Sequence, residues 1–68
     1  MMKQAIKQWV DPITVPEEIC RIQVEYESQG YEVRRIGTSV IQLMLQDGTV
    51  DIWWEHGVFW QEMRENEK

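Results

Sequence analysis

The residues of this chain best suited by type to acid–base work are His56, its neighbour Glu55, and Asp51 two pleats back on the same run. A general acid or base needs a nucleophile or a second positioned group to exchange its proton with, and nothing in the chain recognisably supplies one. The bland account is a turn histidine exposed to water. Cys20 falls in the first turns of a predicted helix, but the flanking Glu17 and Glu18 disfavour a thiolate there, so a half-buried structural cysteine is expected. The carboxylates Glu17, Glu18, Asp47, Asp51, Glu55 and Glu62 follow no calcium-loop pattern, and so short a chain has no depth for a cleft around two of them. With one cysteine and one histidine there is no zinc set and no internal disulfide. The expectation is therefore no catalytic site, no metal and no cofactor.

Charge narrows the partners. Twelve acidic against seven basic side chains give a net charge of −5, and residues 47–68 carry Asp47, Asp51, Glu55, Glu62, Glu65 and Glu67 against Arg64 and Lys68. Duplex and single-stranded nucleic acid alike are repelled by that half. Arg34-Arg35 points to both sides of a strand and so tracks no phosphate backbone; ion pairs with Glu25 or Glu32 are the expectation. No apolar run reaches 18 residues, and Met1-Met2-Lys3-Gln4 reads as neither a membrane span nor a signal peptide, so a cytoplasmic protein is expected.

The elements that must position these residues are few. Sixty-eight residues hold one domain, 1–68, and a single core of that size rarely supplies more than ~3–5 kcal/mol without a staple. A second subunit is the open route to more, which makes a homodimer plausible. Residues 3–10 fit neither a helical nor a strand period cleanly, and Asp11-Pro12 forces an extended or turn conformation at residue 11. Thr14-Val15-Pro16-Glu17 has the spacing of a capping box; alternatively Pro16 takes the first helical position with Val15 as the cap. Either way a helix spans about 16–29, with Ile19, Ile22 and Tyr26 facing the core, Glu18, Glu25 and Ser28 facing water, a Glu17–Arg21 pair, and Gly30 as the left-handed stop.

The hairpin carries the firmest expectation. The runs 40–46 and 49–55 flank Asp47-Gly48, suited to a two-residue type I′ turn. That register pairs Leu45 with Val50, Leu43 with Ile52 and Ile41 with Trp54 on one apolar face. On the other it pairs Gln46 with Thr49, Met44 with Asp51, Gln42 with Trp53 and Val40 with Glu55. Before the hairpin, Tyr31 and Val33 join the core face only if the loop around Gly37-Thr38-Ser39 holds an odd number of residues. After it, a His56-Gly57 turn returns Val58-Phe59-Trp60 as a strand, setting Phe59 against Trp54 and Trp60 against Trp53. A short C-terminal helix is the rival for residues 58–64, and the last four residues are expected to fray. The fold class is α+β: one α-helix packed on a three- to four-stranded antiparallel β-meander.

This register puts Trp53 on the reverse of the sheet with Val40, Met44, Gln42 and Trp60, an apolar strip with a polar rim, as interfaces have. Two readings stay open: the strip is an interface, or the N-terminal segment with Ile6, Trp9, Val10 and Ile13 folds over it. The function expected is a small acidic protein–protein interaction or regulatory module, acting on itself as a homodimer or on another protein. A sharper version is a phage-type inhibitor presenting carboxylates in place of phosphates. The alternative is single-stranded nucleic-acid binding through the sheet-face tryptophans.

Overall fold

In the computed structural model, which describes residues 3–65, one helix lies on one face of a five-stranded antiparallel sheet of order β1-β5-β4-β3-β2. The strands are β1 (Gln4–Lys7), β2 (Glu32–Arg35), β3 (Val40–Met44), β4 (Gly48–Glu55) and β5 (Val58–Glu65), and the helix α1 is Val15–Ser28. The α+β class is as expected. The fifth strand is β1, from the segment whose period was ambiguous; it pairs along β5 with an irregularity between Ala5 and Lys7, which explains why neither strict alternation nor helical spacing fits it. Residues 58–64 are strand, not helix. Glu65 ends that strand rather than fraying, and the rest of the expected frayed tail lies outside the described residues.

Helix α1 begins one residue earlier than expected, and its cap is different. Thr14 is already helical, and its hydroxyl donates to the Asp11 carbonyl (2.9 Å) instead of accepting from Glu17. The capping role moves upstream: extended Asp11 accepts from the Ile13 amide through Oδ1 (2.9 Å) and starts a short 3-10 turn, Pro12–Thr14, that runs into the helix. The C-terminus follows the expectation. Gly30 is left-handed (φ 97°), its N–H reaches Glu27 and that of Tyr31 reaches Tyr26, a Schellman arrangement clamped by the edge-to-face Tyr26 and Tyr31 rings. Ile19 is fully buried and Ile22 and Tyr26 pack against the core. Glu18, expected in water, is instead gripped by Lys7 of β1 (2.6 Å) and Arg21 (3.1 Å), in place of a Glu17–Arg21 pair. The Lys7 hydrogen bond holds the Glu18 carboxyl below its ordinary value against an opposing effect of burial, with the charges of Lys7 and Arg21 assisting.

The β3–β4 register differs from the expectation by two residues. Observed partners are Val40–Trp53, Ile41–Ile52, Gln42–Asp51, Leu43–Val50 and Met44–Thr49, and the Leu45 amide donates to the Gly48 carbonyl (2.9 Å). The two-residue loop is therefore Gln46-Asp47, neither of which has positive φ. Gly48 is a strand residue, needed because a Cβ there would collide with the carbonyl oxygen of Arg64 on β5. Close approach of two backbones, not turn conformation, is the reason for this glycine. A shift of two preserves the faces, so Ile41, Leu43 and Ile52 are buried toward the helix and Trp53 points away from it, as expected. The other two connections agree with the sequence reading: Gly37-Thr38-Ser39 is an odd-numbered loop closed by Ile36 N–H to Val40 O, and His56-Gly57 is a turn with both residues at positive φ.

The core on the helix side is Val10, Val15, Ile19, Ile41, Leu43, Ile52 and Phe59. Val10 enters it through a tight kink. Its amide donates to Gly57 O (2.8 Å), its carbonyl accepts from the Trp54 indole (3.2 Å), and the preceding Trp9 is forced to φ 61° with its side chain 93% exposed. A bulky residue there is strained by about 1–3 kcal/mol. Trp9→Asn is therefore expected to raise stability by roughly 0.5–1 kcal/mol, because asparagine tolerates this backbone and little burial is lost. A lower urea midpoint for the variant would show that the indole makes contacts that offset its strain.

Candidate functional site

The face of the sheet opposite α1 is built by alternation along every strand. Cross-strand partners bring Ala5 of β1, Trp60 of β5, Trp53 of β4 and Val40 of β3 into one row. Ile36, whose amide bonds the Val40 carbonyl and which is 54% exposed, extends the row past the end of β2. The result is an apolar band running across the whole sheet. No described element lies over it. The N-terminal segment does not cover it, because β1 joins the sheet edge and Val10 turns to the helix side.

A polar row runs beside the band: Glu62, Asp51, Gln42 and Arg34 stand on adjacent strands. Asp51, at 9% exposure the one buried charged residue among those described, accepts from Gln42 Nε2 (2.9 Å) and pairs with Arg64 Nε (2.9 Å), so its carboxylate is fully engaged. Its direct cross-strand neighbour is Glu62, a like charge. The next row is Arg64, Thr49, Met44 and Glu32. On the other side of the band, Glu55 accepts from the Trp53 indole at 3.4 Å and pairs with Lys3 at 3.8 Å, while the Lys3 ammonium sits 4.4 Å from the centroid of the Trp60 ring. Between Ile36, Val40 and Trp53 and the polar groups lies a shallow depression of about 370 Å³.

All five residues singled out for an interface, Trp53, Met44, Val40, Trp60 and Gln42, lie on this face. Their neighbours differ from those expected: Val40 stands by Trp53 rather than Glu55, and Gln42 by Asp51 rather than Trp53. Sequence reasoning placed Asp51 on this face, beside Met44, but missed Ile36, Arg64 and Lys3. Correct placement of the loop at residues 46 and 47 would have set Asp51 beside Gln42 instead of Met44, whereas Lys3 depends on the unassigned first strand.

The residues considered for chemistry are not gathered. His56 is exposed in its turn, and among the described residues no group of three metal-binding side chains converges. Cys20 is exposed rather than half-buried, with the Arg35 guanidinium 3.4 Å from its sulfur. That guanidinium also donates to Gln23 (3.2 Å), so Arg35 ties the sheet to the helix through an amide instead of a carboxylate. Arg34 points to the opposite face and has no intrachain ion-pair partner among the described residues. On the helix side a hollow of about 390 Å³ opens where α1 stops short, walled by Tyr26, Tyr31, Leu43, Val50 and Met63, and a smaller one of about 240 Å³ lies between β1 and α1, beside Lys7, Glu18 and Ile22. Among the described residues no helix is long and apolar enough to cross a membrane. Comparison with known proteins finds no matching family model, no similar curated protein and no similar solved structure.

Proposed function

We propose that this chain is a protein-interaction module that docks through the sheet face opposite its helix. The observation that supports this reading is the uncovered apolar band of Ala5, Trp60, Trp53, Val40 and Ile36 with charged and amide groups along both sides. An aromatic centre with a polar rim is the anatomy of an interface, and isolated exposed apolar residues would not have formed a row. The carboxylates of this face are interleaved with Lys3, Arg34 and Arg64, which argues against an array that imitates nucleic-acid phosphates. Single-stranded nucleic acid is the second reading, favoured by the paired Trp53 and Trp60 and opposed by Glu32, Asp51, Glu55 and Glu62 on the same face. An exposed free thiol at Cys20 suits a reducing compartment, so a cytoplasmic location belongs to the proposal.

A photo-crosslinking side chain placed at Trp53 in the native host, with Val24 on the exposed helix side as control (63% exposed), tests this. Protein adducts from position 53 and not from 24 are expected. Nucleic-acid adducts would favour the second reading, and equal yields from both positions would overturn the proposal.

A further inference from the structure

We infer that the occupant of this face is a second copy of the same chain, laid face to face about a two-fold axis that lies between the sheets and runs parallel to the strands. The inference rests on the docking role proposed for the face and adds its partner and geometry. A homodimer interface must be complementary to itself, and the symmetry operator decides which residues meet. An axis along the strands between β3 and β4 lays β4 over β3 of the other copy and β5 over β2. The apolar row then falls on itself reversed: Trp53 over Val40 of the second copy, and Trp60 over Ile36.

The charges decide in favour of this operator. In the same reversal Glu62 meets Arg34 of the second copy and Arg64 meets Glu32, while Asp51 meets the neutral Gln42. Glu62, Arg34 and Glu32 have no intrachain ion-pair partner among the described residues. Glu62 also faces Asp51 across the β4–β5 pair, an arrangement that is unfavourable in the lone chain and that an incoming guanidinium relieves. The competing in-plane axes, perpendicular to the strands, set Glu62 on Glu62 and Arg34 on Arg34, or bring Asp51 against Glu55. Only reversal across the strands matches sign to sign.

The area suits a weak, reversible dimer. β1 lies outside the overlap, so four strands ~4.8 Å apart and about six residues long present roughly 400 Å² per copy, about 800 Å² in total, the size of a transient interface. Two twisted sheets packed this way cross at about 30°, which the axis accommodates by lying midway between the two strand directions.

Sedimentation equilibrium of the purified 8.2 kDa chain and its variants tests the proposal. A species of twice that mass is expected at a chain concentration of about a hundred micromolar. Trp53→Ala and Arg34→Glu should each weaken dimerisation by about tenfold or more, while circular dichroism shows the fold retained. Combining Arg34→Glu with Glu62→Arg exchanges the partners of one contact and should recover most of the loss. A chain still monomeric at several hundred micromolar overturns the self-docking inference, and protein adducts from position 53 would then leave the docking role standing with a different partner. A dimer indifferent to Trp53→Ala, or a double variant no better than Arg34→Glu alone, also overturns it.

Discussion

Phe59→Ala is expected to leave the chain largely unfolded at room temperature. Phe59 is the largest fully buried side chain, opposite Trp54 on β5 and in the same cluster as Val10, Val15, Ile19 and Ile52. Truncating a buried phenylalanine removes transfer free energy and leaves a cavity, together about 3–5 kcal/mol. A single core in a domain of 68 residues contributes ~3–5 kcal/mol of net stability, so the loss is comparable to the whole. Far-ultraviolet circular dichroism and a urea titration check this. A retained folded baseline with a midpoint close to that of the parent would mean that the ring is not at the centre of the core. The proposed dimer would add concentration-dependent stability, so the measurement belongs at matched chain concentrations.

Gly48→Ala is the second large effect, expected at roughly 3 kcal/mol of destabilisation. An added Cβ would strike the Arg64 carbonyl oxygen and lie 3.0 Å from both the Arg64 carbonyl carbon and the Glu65 Cα. These are backbone atoms paired with Gly48 in the β4–β5 ladder, so no rotamer change relieves the contact. Either the ends of β4 and β5 separate or the Gly48–Glu65 pair opens. Gly37→Ala serves as the control, since nothing lies within 4 Å of its Cβ position and its φ is not left-handed; it should change stability by less than about 0.5 kcal/mol. Equal effects at the two positions would show that the strands are not closely apposed at Gly48.

The face assignment was legible because alternation has a period of two and is insensitive to a slip of two. Trp54 toward the helix, Trp53 away from it, and Phe59 beside Trp54 all follow from that alternation together with the His56-Gly57 turn. Which residues neighbour one another along the sheet was not legible from the hairpin alone. Turn chemistry favoured Asp47-Gly48, but the glycine is claimed by a contact with β5, a residue pair separated by sixteen positions that no local pattern encodes. The helix cap shows the same competition: Thr14 and Glu17 have the right spacing, yet Asp11 starts the 3-10 turn that makes Thr14 helical before it can cap. Likewise β1 is a strand because β5 offers it an edge, a tertiary cause that overrides a weak local pattern. Of the candidate surface, the five named residues were legible, whereas the continuity of the band through Ala5 and Ile36 required the sheet order.

The two outermost strands also bear on how far association can go. The β1 border is four residues long and broken by its irregularity near Ile6, and the β2 border, Glu32-Val33-Arg34-Arg35, is equally brief and mostly charged. Neither offers the long, flat, uncharged template on which chains add end to end into fibres. Growth by strand addition is thereby disfavoured, and a pair whose broad surfaces met as proposed would be a closed particle rather than the start of a fibre.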